Sequence, residues 1–508
     1  MKKNNLFVLM LASGMMAVTP MMGEDTVKLT TSKAVGETVS FELNQPKQDV
    51  IVDWGDGVKT TVAKTDASHL VVSGKVKGKV ITVTSQSQIT LLLCAGNDLT
   101  AIDLAAAPNL LSLYCQNNAL GTLDVSPCKK LVDLNCSNNK LQTINITSTT
   151  NPNLENINVA DNQLSTISST DRAFAMSNDN LQHVDISNNK FTMVKLTNRD
   201  AKLDGLKASN NVIAQLNISA TPKLSYVLAS NNNLTTVTLA EEAAQLRQLF
   251  VDNNKLKKLD VAKATALEYL AADSNKLAEV ALPHHTLYAY TCKDNALNFA
   301  NLPGKAQMPT NFAYLPQETY IDIKNQLHRR RNEYFITMCP SYGEGKVEKY
   351  QIDLTNYAYD SGNRRVDVTP YAVVDGKPVE LTKASASKPG DYYMISSAHG
   401  KIAFLKAYDE VYVEITSANY PDLKFETTHF QVYNPNSTGI DNVTTGAAST
   451  LEVYAENGRL VLEAAMAQSV SVYATSGKLV WKVQVADAPV TVQLPAGVYV
   501  VNGKKVVL

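Results

Sequence analysis

Between residues 89 and 302 the apolar positions follow one fixed pattern. It reads Leu, two residues, Leu, one residue, Cys or a small apolar residue, two residues, Asn, one residue, Leu, two residues, Leu, one residue, and a last Val, Leu or Ile. Ten copies are legible, the clearest being Leu110, Leu113, Cys115, Asn118, Leu120, Leu123 and Val125. The asparagines fall at Asn97, Asn118, Asn139, Asn162, Asn189, Asn211, Asn232, Asn254, Asn275 and Asn295, spaced by 21, 21, 23, 27, 22, 21, 22, 21 and 20 residues. Alternation at the start of each unit predicts a short strand, with Leu113 and Cys115 pointing inward, and the Asn predicts the turn that follows. One unit cannot bury its own apolar face, so units must stack, about 4.8 Å apart, into a parallel sheet over a continuous core. The Asn amide is then expected to bond backbone groups of neighbouring coils, which if buried unpaired cost about 1–3 kcal/mol each.

Outside this block the pattern changes to longer alternating segments. Val50-Ile51-Val52-Asp53 and Val80-Ile81-Thr82-Val83, separated by Gly- and Lys-rich turns, predict a small β-sandwich cap over residues 24–88. Segments such as Val411-Tyr412-Val413-Glu414-Ile415 and Phe430-Gln431-Val432-Tyr433 predict an immunoglobulin-like sandwich over 313–435. Residues 436–450, opening Asn436-Ser437-Thr438-Gly439, have the composition of a flexible linker. Beyond it, 451–508 reads as a compact all-β tail with turns at Asn457-Gly458, Ser476-Gly477 and Asn502-Gly503. The fold class expected is therefore mainly β: a solenoid of about ten short repeats flanked by β-sandwich domains. A chain of 508 residues is too long for one ordinary core, in keeping with units in series.

Lys2 and Lys3 precede an apolar run from Leu6 to Val18 broken only by Ser13 and Gly14, and Glu24-Asp25 follow. This arrangement predicts a signal peptide over 1–23, cut after Ala17 or after Gly23. The run is too short to span a bilayer, no comparable run occurs later, and no Cys follows it that would carry a lipid anchor. Lys plus Arg (47) balance Asp plus Glu (48), so bulk charge attracts neither nucleic acid nor anionic membrane. Six cysteines in an exported chain ordinarily suggest bridges, but Cys94, Cys115 and Cys136 recur every 21 residues at one inward repeat position. They are read as core residues; Cys128 lies outside that ladder and Cys339 outside the repeats.

The Leu/Asn pattern resembles the leucine-rich-repeat superfamily, and the cysteine ladder of the first three units is similar to internalin J-type repeats. The later units depart from that ladder, with Val159, Ile186, Ala208, Ala229, Val251 and Ala272 at its position before Cys292 returns. Asp53-Trp54-Gly55-Asp56-Gly57 resembles the hairpin of polycystic-kidney-disease-like domains. Its two carboxylates fall short of the six to eight oxygens calcium takes, so a tight turn is expected there and no metal. The closing Leu494-Pro495-Ala496-Gly497-Val498-Tyr499-Val500 and Gly503-Lys504-Lys505-Val506-Val507 resemble the C-terminal sorting domain of type IX secretion substrates. That resemblance implies a sorting signal at Gly497, Tyr499, Gly503, Lys504 and Lys505. It also implies passage through the type IX machinery, removal of the tail by a sortase-like peptidase, and attachment to surface lipopolysaccharide or release outside the cell.

Chemistry-bearing motifs are sparse. Neither His-Glu-x-x-His, Gly-x-Ser-x-Gly nor Gly-x-x-x-x-Gly-Lys-Ser/Thr occurs, so the chain is read as a non-enzyme without a cofactor. His328-Arg329-Arg330-Arg331 reads as a solvated loop or strand end, with a binding patch or protease-sensitive site as the alternative. The repeats offer a long sheet whose outward residues follow from the register. Tyr226, Leu228, Phe250 and Tyr269 make its later half aromatic; Asp133, Asn135, Asn156, Asn158, His183 and Asp185 make its earlier half polar and acidic. Exposed aromatics anchor interfaces. The expectation is an adhesin-type surface protein whose concave repeat face binds a host or bacterial surface protein or another cell, supporting colonisation or biofilm. A glycan-binding or structural surface module is the alternative, and a surface hydrolase ranks below both.

Overall fold

The computed structural model describes residues 24–434 and 451–507, apart from 168–171, 176–178, 198–199, 201, 331–332, 340–349, 386, 396–397, 457–458, 465–467, 475–478, 486–487, 496 and 502–503. The expected signal peptide, the 436–450 linker, Arg331 and the turns at Asn457-Gly458, Ser476-Gly477 and Asn502-Gly503 lie outside the described residues. The chain forms two units, Met1–Leu297 with Asn301–Glu318, and Asn298–Ala300 with Thr319–Leu508. No helix of the described residues is long and apolar enough to cross a membrane.

In the first unit the repeats build one 13-stranded sheet. Its eleven strands from Leu91–Leu93 to Asn311–Ala313 run parallel in strict chain order. Each is three residues long, and in all but the last, Asn311–Ala313, the middle residue is buried and its neighbours face outward, as in Ser112–Tyr114, where Leu113 is wholly buried. Away from this sheet the coils pair again in short parallel ladders, for example Thr122–Asp124 with Thr143–Asn145 and Lys258–Asp260 with Glu279–Ala281. The fold is a leucine-rich-repeat solenoid.

The Asn ladder does what its chemistry predicts. Asn118 Nδ2 donates to the Cys94 carbonyl of the preceding coil and to Cys115 of its own, both at 3.0 Å. Its Oδ1 accepts from Asn97 N and Leu99 N, also at 3.0 Å. Asn139 repeats this one coil on, donating to Cys115 O and Cys136 O at 3.1 Å and accepting from Leu120 N at 3.0 Å. The residue just before most ladder asparagines is left-handed: Asn117 (φ 58), Asn138 (φ 50), Asp161 (φ 55), Asn188 (φ 54) and Asn210 (φ 56). Asn and Asp tolerate that region because their short polar side chains satisfy local backbone groups, which explains the recurrent Asn-Asn and Asp-Asn pairs.

The ladder also runs further than its asparagines. Gln317 takes the eleventh rung, its Nε2 donating to Cys292 O at 2.7 Å and to Tyr314 O, and its Oε1 accepting from Leu297 N at 3.0 Å. At the other end Asn97 reaches out of the repeats altogether, donating to Ser40 O at 2.7 Å and accepting from Ser40 N at 3.0 Å. Ser40 lies in the strand Thr38–Asn44, which pairs antiparallel with Leu91–Leu93 and with His69–Lys75 and so extends the repeat sheet. The first repeat contributes Leu99–Ala106 to the opposite five-stranded sheet by pairing with Asp25–Thr31. Cap and repeats thus share both layers. In the cap, Asp53 Oδ1 accepts from Gly55 N at 2.8 Å and Gly57 N at 3.0 Å, and Asp56 pairs with Lys77 at 2.9 Å. These carboxylates hold a tight turn. Trp54 packs on Phe41 and fills the space above Gly74, where a Cβ would sit 2.3 Å from the ring.

All six cysteines are unbridged and buried. Burial pushes the Cys94 and Cys136 thiols up to about 12 and that of Cys115 well above its usual value. They are neutral core side chains rather than nucleophiles or metal ligands.

The second unit is also β. An eight-stranded mixed sheet includes Asp367–Val374, Tyr408–Ser417, Tyr420–Thr427 and Phe430–Tyr433, beside the three-stranded sheet of Gln351–Asp353, Tyr392–Met394 and Lys401–Phe404. His328–Arg330 forms a strand at the end of the larger sheet, paired with Glu333–Thr337. The tail folds as two small sheets of three and four strands around Leu451, Leu460, Leu462, Val470, Val472, Val485, Tyr499, Val501 and Val506.

Two outcomes follow. Asn139→Leu should lower stability by about 1–3 kcal/mol through the backbone groups it orphans, whereas Lys140→Ala, at an exposed position, should change it by no more than about 0.5 kcal/mol. Paired chemical melts measure the contrast. A thiol reagent such as DTNB should leave Cys94, Cys115 and Cys136 unmodified in the native protein and titrate them in denaturant.

Candidate functional site

Three-residue strands with a buried middle leave two outward columns on the repeat sheet. One runs Asp133, Asn156, His183, Gly205, Tyr226, Gln248 and Tyr269. The other runs Asn135, Asn158, Asp185, Lys207, Leu228, Phe250 and Ala271, each beside its partner on the next coil. Every outward residue expected from the sequence lies on this face, half-buried among its neighbours except His183, which is exposed.

The polar half is tied together crosswise. Asp133 accepts from Ser112 Oγ at 3.1 Å and from Asn156 Nδ2 at 2.6 Å. Asn156 Oδ1 in turn meets His183 Nδ1 at 2.8 Å, and His183 Nε2 faces Asp204 Oδ2 at 3.4 Å. In the second column, Asn135, Asn158 and Asp185 each accept from the backbone N–H two residues on, which fixes their rotamers. Lys207 Nζ stands 3.8 Å from Asp185 Oδ2. A row of polar groups held by one another is preorganised for contact with a partner.

The aromatics do not form the single patch that coil order suggests. Tyr226 and Tyr269 share a column with Gln248 between them, while Phe250 stands in the other column between Leu228 and Ala271. Alternation within each strand separates them, because residues 226 and 228 of successive coils follow different tracks. Tyr226 instead stacks towards His183, with centroids 6.5 Å apart and planes 21° apart. It can do so because residue 205 is glycine: a Cβ there would lie 2.1 Å from the Tyr226 Cζ and Oη. Tyr269 pairs with the exposed Tyr288 at 5.3 Å.

Tyr226 therefore belongs to the polar half. Together with Tyr114, Asp133, Asn135, Asn156, Asn158, His183, Asp185 and Lys207 it lines an open concavity of about 270 Å³. Burial, followed by the nearby Asp204 and Asp185 carboxylates, raises the Tyr226 phenol above its ordinary value, and burial with Asp133 raises Tyr114 likewise. Tyr114, Asp204, Gly205, Lys207 and Tyr288 escaped the reading of the sequence. Tyr114 was open to detection, since it stands one place before the ladder residue Cys115 just as Leu228 precedes Ala229.

Of the sorting residues, Tyr499 is buried in the tail core and its Oη donates to Pro495 O at 2.8 Å. Gly497 has room for a side chain, with nothing nearer than 3.7 Å to a Cβ. Lys504 and Lys505 lie in the strand Lys504–Val507, and Gly503 lies outside the described residues. No group of three or more His, Cys, Asp or Glu among the described residues is placed to hold a metal ion.

Compared with known proteins, the chain matches no family model and no curated protein. Solved structures of leucine-rich-repeat proteins do match. The leucine-rich effector YopM of Yersinia pestis is 25% identical over 45% of this chain and 58% of its own, with a TM-score of 0.36. The functional domain of InlJ from Listeria monocytogenes, which includes a cysteine ladder, is 17% identical over 70% of this chain and 92% of its own, with a TM-score of 0.26. A Leptospira interrogans leucine-rich-repeat protein is 16% identical over 38% of this chain and 68% of its own, with a TM-score of 0.22. The chain spans little more than half the length of the Yersinia effector it matches.

The Tyr226 ring's dependence on its neighbour is directly testable. Gly205→Val should displace that ring and, with a buried position to refill, lower stability by about 1–3 kcal/mol, while Lys207→Val on the same strand should cost less than about 0.5 kcal/mol. Thermal melts of the two variants measure the difference.

Proposed function

We propose that this chain is an exported cell-surface binding protein that uses the open face of its repeat sheet to hold a partner protein and so supports adhesion. The observation that carries the reading is the face itself. Eleven parallel strands present two continuous columns of outward residues that no core requires, including half-buried Tyr226, Leu228, Phe250 and Tyr269, the cross-bonded Asp133 and Asp185, and Asn135 and Asn158 held by their own backbone. Large aromatic side chains on a rigid sheet lose little entropy on binding and are the residue types that anchor interfaces. The stack supplies that rigidity.

Export and display through the type IX route are part of the same proposal. They draw on the N-terminal apolar run and on the motifs of the tail. At Gly497 nothing lies nearer than 3.7 Å to where a Cβ would sit, so an alanine fits there and tests the sorting role apart from packing.

The binding face is tested with the triple variant Tyr226→Ala, Phe250→Ala, Tyr269→Ala. Fluorescently labelled protein should bind intact host or bacterial cells more than tenfold more weakly than the parent, since anchors cost about 2 kcal/mol or more each on truncation. Its melting curve should stay cooperative, and undiminished binding by the folded variant overturns the reading. For export, deletion of 451–508 should trap a folded solenoid in the periplasm, and Gly497→Ala should impair surface display while leaving the melting of the tail unchanged. Surface display of the truncated chain at parental levels overturns the sorting role.

A further inference from the structure

The concavity between Tyr114 and Tyr226 carries a chemistry of its own. Three carboxylates, Asp133, Asp185 and Asp204, line or border it against one lysine, Lys207, in a chain whose 47 cationic and 48 acidic side chains otherwise balance. Their basic neighbours stand off: Lys207 Nζ is 3.8 Å from Asp185, and His183 Nε2 is 3.4 Å from Asp204. Exposed pairs of this kind are weak and exchange readily for a better cation.

Each end of the groove sets an aromatic ring beside carboxylate. The Tyr226 ring lies in the space above Gly205, with Asp185 and Asp204 as its charged neighbours, and Tyr114 has Asp133. A ring bordered by carboxylates suits a guanidinium better than an ammonium. The planar group stacks on the ring while its N–H fork pairs with the acid oxygens, whereas an ammonium offers a point charge alone. From the Tyr114 strand to the Tyr226 strand there are five steps of about 4.8 Å, on the order of 24 Å, which an extended segment of about seven residues spans.

We infer that this groove holds an extended, arginine-bearing segment of a partner protein, one guanidinium seated on Tyr226 between Asp185 and Asp204 and a second on Tyr114 beside Asp133. The inference rests on the proposed binding role of the open face and names the chemistry the partner brings to it. The intervening Asn135, Asn156 and Asn158 offer fixed amides to the segment between the two arginines.

The test uses the full chain and fluorescence anisotropy of fluorescein-labelled (Arg-Ser)8 and (Lys-Ser)8 peptides at low salt. The arginine peptide should bind at least fivefold more tightly than the lysine peptide. Asp185→Asn with Asp204→Asn should weaken it at least tenfold, while Glu241→Gln with Glu242→Gln, the same charge change at exposed positions off the sheet, should change it less than twofold. Tyr226→Ala should abolish the preference for arginine, and Tyr226→Leu, which keeps apolar bulk, should do the same should the alanine variant melt early. Equal affinity for the two peptides, no binding of the arginine peptide, or equal effects of the two double variants overturns the inference. If the triple aromatic variant loses cell binding while the peptides are not distinguished, the open-face reading stands and the arginine seat falls. If the arginine peptide binds as expected while the triple variant still binds cells, the seat stands and the adhesion reading falls.

Discussion

One side-chain amide, repeated once per coil, holds the first unit together. A coil of 20 to 27 residues with three-residue strands cannot pair all its backbone groups through sheet bonds, because the turn after each strand leaves carbonyls and amides facing the interior. The ladder Asn supplies two donors and an acceptor at that place and spends them on two coils at once, as Asn118 does with Cys94, Cys115 and Leu99. Aspartate has no donors, and leucine has neither donor nor acceptor. Glutamine succeeds at position 317, where the last coil changes its path and a longer arm reaches the same partners. The left-handed residue before each asparagine rung is the backbone's side of this arrangement.

The binding face is a by-product of that stacking. With the middle residue of each strand committed to the core, the outer two are released from packing and carry whatever the surface needs. Consecutive coils then juxtapose residues about 21 positions apart, so a site is written along a column rather than along the chain. Gly205 shows how a single position controls such a column: by omitting its own side chain it allows Tyr226 to lie across the neighbouring coil and meet His183.

The repeat register made much of this readable from the residues alone. The parallel sheet, the inward cysteines, the rung asparagines and the outward identity of Tyr226, Phe250, Asp133 and Asp185 all follow from counting, because a regular stack turns sequence period into spatial position. Elements that break the period were not readable in the same way. The strand Asn311–Ala313 carries no Leu signature and its rung is Gln317, so the ladder's last step looked like the start of another domain. The fusion of cap and repeats depends on antiparallel pairing between segments 50 residues apart, which local alternation does not encode. Whether Tyr226 joins the aromatics or the acids depends on the column and on a missing Cβ at position 205, neither of which composition discloses. The tail's strands are legible from alternation, whereas the freedom at Gly497 required the packing around it.

The bond pair between Asn97 and Ser40 gives the stack a polarity, because every rung bonds the element before it. A newly added coil needs a preceding surface on which to place its amide, and the first coil finds that surface in the cap strand, not in another coil. The cap strand does for the first coil what each coil does for the next, presenting the carbonyl that the following rung's amide meets. Cutting the cap away would remove a starting block rather than a decoration, and the repeats beyond it would have to begin from an unsatisfied edge.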